Sequence, residues 1–320
     1  MINSRIISTG SYLPRKIITN EDLASSVNTS DEWIYSRVGI KSRHIAEDFE
    51  YSSDLGVAAA LDALQKCSMN KNEIDLILVA TTTPDKTFPS TAAIIHKKLA
   101  ISKPIPCFDI QAVCSGFVYG VSIADAMIKS GQYQNILLVG ADKLSSITDW
   151  QDRSTCVLFS DGAGAVLLSG TQHGDGCVLA SYLNCDGQYA DIIQTTGGVS
   201  SNKESGVMIM DGKAVYKKAV EVMTSAVLEV LRIGKVDVAD IDYIIPHQAN
   251  IRIMHKVAEH LGVAHDKMIS TIESYANNSA ATIPLALDYG FKHKILKQGQ
   301  LIVTVAAGGG FTWGANLIKI

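Results

Sequence analysis

Short, almost unbroken apolar runs recur along the chain, separated by stretches whose apolar residues return every three or four positions. IDLILVATTT (74–83), CFDI (107–110), NILLVGAD (135–142) and DGAGAVLLSG (161–170) have the length and β-branched content of strands buried on both faces. Between them the spacing predicts a helix near 91–99. A second begins near Cys114, runs through GFVYGVSIADAMIKSG and stops at Gly131, a residue suited to a left-handed helix end. The theme then repeats, with a helix near 212–232, a strand in IDYIIPHQAN, a helix from about 250 and a strand in LIVTVAA. This alternation predicts an α/β protein.

The repetition has a fixed offset. Ile74-Asp75 and Ile241-Asp242 each open a strand and lie 167 positions apart, and the same shift carries Val139 onto Ala306. Cys114 maps to position 281, inside NNSAATIP, so the second predicted helix has a counterpart there. Two similar halves follow, 1–171 and 172–320. Within the longest uncharged stretch, Leu301–Ile318 carries four glycines, two threonines and Asn316. It reads as two strands around a glycine turn, and no membrane insertion is expected.

Composition narrows the class. Of 320 residues 19% are charged and 47% hydrophobic, which suits a core-rich globular protein. Lys and Arg number 28 against 32 Asp and Glu, a net −4, so there is no general electrostatic case for nucleic acid. The start, MINSRIISTGSYLP, has no apolar segment of signal length, and a cytoplasmic location is expected. Six cysteines form no Cys-x-x-Cys pair and His-Glu-x-x-His is absent, so neither metal nor cofactor is expected.

Cys114 lies between a buried strand and an apolar helix, where unpaired N–H groups favour thiolate, although a core cysteine would look the same. Cys107 and Cys156 read as strand-buried. His247 follows a strand in IIPHQAN, at the carboxyl end where polar groups face a crevice, and a loop carbonyl could equally satisfy it. Asn277 precedes a helix and could be a simple N-cap, a role open also to Asn278 or Ser279. Gly308, Gly309 and Gly310 would let backbone N–H groups approach an oxyanion, or form a plain turn.

Taken together these are a nucleophile, two donors and an oxyanion site. With TSDEWIYSRVGIKSRH (29–44), DRSTCVLFSDGAGA (152–165), IIPHQANIRI (244–253), NNSAATIPLAL (277–287) and GGGFTWGA (308–315), the sequence resembles, end to end, the bacterial β-ketoacyl-acyl-carrier-protein synthase III family. The resemblance implies a thiolase-like, duplicated five-layered αβαβα sandwich and a homodimer. It implies a Cys114-His247-Asn277 set that takes an acyl group from acyl-CoA onto Cys114 and condenses it with malonyl-acyl carrier protein.

Further roles come from the same resemblance. Trp33, Arg37 and Arg153 match positions around the CoA adenine and phosphate, and Gly212 and Asn250 match the pantetheine channel. Leu144 and Phe159 would line the acyl pocket, with Phe88 reaching across the dimer to the partner's pocket. Lys217, Arg252 and Lys256 would form a basic rim for the acidic carrier protein. Two departures stand out: Glu259 and His260 replace lysines found in some members, and Ala307 stands where many relatives carry phenylalanine. Degradative thiolases need a second cysteine in the carboxyl-terminal glycine loop, and none follows Cys185. Elongating synthases pair cysteine with two histidines, and the matched position here is Asn277. A papain-like hydrolase would need a Cys-Gly-x-Cys signature that is missing.

Overall fold

The computed structural model describes residues 2–172 and 177–320. Strands β1 (Asn3–Tyr12), β2 (Leu76–Ala80), β3 (Cys107–Ile110), β4 (Asn135–Lys143) and β5 (Asp161–Thr171) form one sheet in the order β1-β5-β4-β2-β3. Strands β6 (Val178–Cys185), β7 (Tyr243–Pro246), β8 (Leu301–Gly308) and β9 (Thr312–Lys319) form a second in the order β7-β8-β9-β6. Counted from its first strand in the chain, each sheet has the same arrangement, β1-β5-β4-β2 against β6-β9-β8-β7. In each, the last two strands are parallel and the others antiparallel. Strands β2 and β7 open at Leu76 and Tyr243, 167 positions apart, which is the offset legible in the sequence.

Both faces of each sheet are covered, which explains the continuous apolar runs. Successive residues of β2 point to opposite layers. Leu76 and Leu78 join one core and Ile77 and Val79 another. Helices α1 (Ser52–Cys67) and α2 (Thr91–Lys98) pack on the outer face of the first sheet. Between the sheets lies α3 (Gly116–Lys129); α4 (Gly212–Gly234) and α5 (Ile251–Leu261) cover the outer face of the second, and α6 (Thr282–Lys292) completes the middle layer. The central core draws Phe117 and Val121 from α3, Ile283 and Leu287 from α6, and strand residues from both sheets. The layers therefore run αβαβα.

The duplication reaches the backbone of the turns that start the two middle helices. Each is a single 3-10 turn, Val113–Ser115 before α3 and Ser279–Ala281 before α6. Val113 has φ 48° and Ser279 φ 51°, both in the left-handed region. Each turn is pressed by a glycine from the opposite half. A Cβ on Gly140 of β4 would lie 2.5 Å from the Ala280 carbonyl oxygen, and one on Gly308 of β8 would lie 2.7 Å from the Cys114 nitrogen. Among the described residues no helix is long and apolar enough to cross a membrane.

Candidate active site

Cys114 sits on the turn ahead of α3, and the α-helix itself begins only at Gly116. Left-handed φ at the β-branched Val113 costs on the order of 1–3 kcal/mol. The surroundings hold it there. Ser115 Oγ donates to the Ala112 carbonyl at 2.7 Å and meets Thr312 Oγ1 at 2.7 Å, while Gly308 closes from the other side. The expectation that the helix end favours thiolate is corrected. Cys114 is only 7% exposed, and burial pushes its thiol up to about 12, with the buried Asp142 carboxylate acting in the same direction. Desolvation disfavours the charged form, so the resting group is a thiol. Of the other cysteines, Cys107 is only half-buried in β3, and Cys156 ends the short helix Arg153–Cys156 instead of lying in a strand.

His247 follows β7, its N–H donating to the Val305 carbonyl at 2.8 Å. Its ring is buried, and desolvation lowers its pKa to about 3, so it is neutral at physiological pH. Among the described residues no loop carbonyl satisfies it; Nδ1 lies 2.7 Å from Thr282 Oγ1. Asn277 is not the cap of α6, whose N-cap position is Ala281. Its backbone pairs with the Leu158–Ser160 segment, its N–H donating to Leu158 and its carbonyl accepting from Ser160. The side-chain oxygen accepts the Ser279 N–H at 2.9 Å, which leaves the amide N–H groups for the cavity.

Cys114, His247 and Asn277 line one cavity of about 500 Å³. Phe159, Met223, Ala307, Gly308 and Gly309 form its depth, while the exposed Arg37, Gly212, Lys213 and Arg252 mark its mouth, with Trp33 and Asn250 half-buried there. A second cavity of about 370 Å³ shares Cys114, Phe159, Ile193 and Gly309 and is lined further by Leu144, Ile147, Met208 and Gly310. Cys114 thus stands where two cavities meet. At the mouth, the guanidinium carbons of Arg37 and Arg153 lie 5.0 and 4.7 Å from the Trp33 ring centroid. Arg153 also donates to the Asn28 carbonyl at 2.7 Å. Asn250 caps α5 by accepting from the Arg252 N–H.

Three of the residues singled out in the sequence lie elsewhere. Phe88 is 83% exposed and lines neither cavity of its own chain. Lys217 is exposed on α4 outside the cavity lining. Lys256 is engaged by Glu259 at 2.9 Å, so the departure at 259 directly offsets a charge expected on the rim.

The sequence reading missed Lys213, Thr282 and a two-stranded ribbon, Ile193–Thr195 with Met208–Met210, that lines both cavities. It also passed over Arg43. Fully buried, that side chain donates to the Ile18 and Val157 carbonyls and to Asn20, joining the Trp33-bearing region to the segment that carries Phe159. Burial lowers its pKa to about 10, which still leaves it charged.

Two sheets of matched order around a shared helical layer, with the cavity at the junction of the halves, define the thiolase-type condensing enzymes. The family described as 3-oxoacyl-[acyl-carrier-protein (ACP)] synthase III matches residues 108–187, and its C-terminal family matches 231–320. The chain is 50% identical over 320 residues to the β-ketoacyl-[acyl-carrier-protein] synthase III of Ehrlichia canis, covering 100% of both. It is 49% identical over 319 residues to that of Wolbachia pipientis wMel, covering 99% of both. The crystal structure of the Aquifex aeolicus 3-oxoacyl-[acyl-carrier-protein] synthase III superposes with a TM-score of 0.94 at 42% identity, over 99% of this chain and 100% of that one. The chain belongs to the β-ketoacyl-acyl-carrier-protein synthase III family, acyl-transferring condensing enzymes that initiate fatty-acid synthesis.

Proposed function

We propose that the chain condenses an acyl-CoA primer, acetyl-CoA in the first instance, with malonyl-acyl carrier protein through an acyl-Cys114 intermediate. Residues 1–171 contribute the nucleophile and residues 172–320 contribute His247, Asn277 and the glycine loop. In the first half-reaction Cys114 Sγ attacks the thioester carbonyl, the bond to the CoA sulfur breaks, and the thiol proton ends on the departing CoA. In the second, malonyl-carrier protein loses carbon dioxide, and the resulting enolate carbon attacks the acyl-cysteine and expels the Cys114 sulfur as a thiolate, which takes one proton from solvent to restore the resting thiol.

The observation that carries the reading is the orientation of Asn277. Its oxygen is occupied by the Ser279 N–H, so it offers N–H groups to the cavity beside a neutral histidine. Two neutral donors suit an enolate oxygen, whose charge develops without any base removing a proton. The backbone N–H groups of Cys114 and of the Gly308–Gly310 loop would hold the acyl oxygen, such donors being worth about 3–4 kcal/mol each. Trp33, Arg37 and Arg153 suit a purine nucleotide with phosphate, because indole and guanidinium planes both stack on a base. Gly212 and Asn250 would border the pantetheine arm, and Leu144 and Phe159 the acyl chain. The exposed Phe88 would enter the pocket of a second copy, making the enzyme a homodimer. Arg252 and Lys217 would meet the carrier protein, with Lys213 joining them and Lys256 contributing least. A cytoplasmic location belongs to the same reading.

Intact mass after exposure to a panel of acyl-CoAs tests this. We expect one acyl mass on the wild type and none on Cys114→Ser; acylation retained in that variant overturns the nucleophile assignment. His247→Ala and Asn277→Ala should still acylate while failing to decarboxylate malonyl-carrier protein.

A further inference from the structure

One atom holds the far side of the His247 ring. Its Nδ1 lies 2.7 Å from Thr282 Oγ1, both side chains are buried, and the same hydroxyl lies 3.1 Å from the Ser279 carbonyl oxygen. A hydroxyl carries one proton, so the group has two arrangements. If Thr282 gives its proton to the Ser279 carbonyl, three residues back along the chain, Nδ1 must carry the ring proton and Nε2 is bare. If Thr282 gives it to Nδ1, the ring proton sits on Nε2. The local bond to a carbonyl three residues back is the ordinary habit of a threonine at the start of a helix. Here the contact across 35 residues of chain is the shorter one.

The neighbour decides between them. Asn277 presents N–H groups to the cavity because its oxygen is already taken. An oxygen held there keeps a lone pair for a second donor, and a bare nitrogen would face that lone pair repulsively. Charging the ring is no escape, since burial keeps it neutral.

We infer that Thr282 is a positioning residue that sets the tautomer of His247: its hydroxyl donates to Nδ1, so Nε2 carries the proton and donates into the cavity. This rests on the donor role given to His247 above. The nucleophile is served from other elements, so the hydroxyl matters to the second half-reaction and not the first.

Ring ¹⁵N spectra of the wild type, Thr282→Val and Thr282→Ser, with the His247 signals assigned by their loss in His247→Gln, test the inference. We expect a protonated-type Nε2 and an unprotonated-type Nδ1 in the wild type and in Thr282→Ser, and a shift toward protonated Nδ1 in Thr282→Val. CoA release from acyl-CoA should stay within about threefold of wild type in both variants. Decarboxylation of malonyl-carrier protein should fall at least tenfold in kcat for Thr282→Val only. A wild-type ring protonated on Nδ1 overturns the inference, as does an unchanged tautomer in Thr282→Val or an equal loss of both half-reactions. If Thr282→Val does not fold, the wild-type spectrum and Thr282→Ser still decide. A wild type that neither acylates nor decarboxylates refutes the proposed reaction instead, and leaves the spectrum to decide the tautomer.

Discussion

Replacing Gly308 with alanine strikes the site without touching any reacting group. The added Cβ would lie 2.7 Å from the Cys114 nitrogen, 3.1 Å from the Ser115 nitrogen and 3.2 Å from the Ala112 carbonyl oxygen. All three are backbone atoms of a turn already strained at Val113, so no side chain can swing aside. Relief to ordinary contact near 3.4 Å requires the turn and β8 to part by roughly 0.7 Å. Misplacing a nucleophile by about 1 Å costs on the order of 100-fold, so a loss of roughly 10- to 100-fold in acyl transfer is expected. Overpacking should add about 1–3 kcal/mol of destabilisation. Gly309→Ala is the control, its nearest contact being 3.2 Å to the Ile193 carbonyl oxygen with the next at 3.6 Å, and its loss should be several times smaller. The assay is the burst of CoA released from acyl-CoA, run beside urea unfolding. A Gly308→Ala enzyme that acylates within threefold of wild type while unfolding at the same urea concentration refutes the reasoning.

Other expectations are more direct. Below pH 6.5 the unfolded chain binds a proton at His247 that the folded chain refuses until about pH 3. The stability this site contributes is therefore whole above pH 6.5 and is lost as pH falls through that window, at up to about 1.4 kcal/mol per pH unit. Asp142, raised from 3.8 to about 6 by burial, works oppositely between pH 6 and 3.8. The difference between wild type and His247→Gln isolates the histidine, and urea unfolding should show it change by roughly 1–2 kcal/mol from pH 6.5 to 5; parallel curves would count against a buried neutral ring. Trp33→Ala should raise the KM for acyl-CoA roughly tenfold by removing the stacking plane, with little change in the KM for malonyl-carrier protein. Arg252→Glu should raise the latter severalfold at low salt. Lys256→Ala should change it less than about twofold, because Glu259 already pairs that charge; a larger effect would place Lys256 in the dock.

The strands were legible because burial on both faces leaves an unmistakable run, as at Leu76–Ala80. The offset was legible because two such runs, each followed by a second, kept their spacing. Local chemistry was less so. Nothing about Val113 announces a left-handed backbone, since a β-branched side chain argues against one and only the packing of Gly308 and Thr312 imposes it. Thiolate was the natural inference from a helix start, but burial is a property of the whole fold and it reverses the sign at Cys114. Thr282 is 35 residues from His247, beyond any local pattern. The ribbon at Ile193–Thr195 and Met208–Met210 is three residues per strand, too short for periodicity to register. The pairing of Lys256 with Glu259 was within reach, as a helical i,i+3 spacing.

The shared middle layer has a consequence for how the chain comes off the ribosome. Helix α6 packs on β1 and β5, so the part of the first sheet's inner face that α3 leaves bare waits for residues 282–292 before it is covered. Through most of synthesis the amino-terminal half leaves Val166 and Leu168 of β5 incompletely covered, a surface that invites chaperones. We expect nascent chains stalled near residue 230 to bind a hydrophobic dye and to resist protease poorly, with both properties changing abruptly once the segment through residue 292 has emerged. A chain stalled at 230 that is already protease-resistant would mean that the first half closes its core alone.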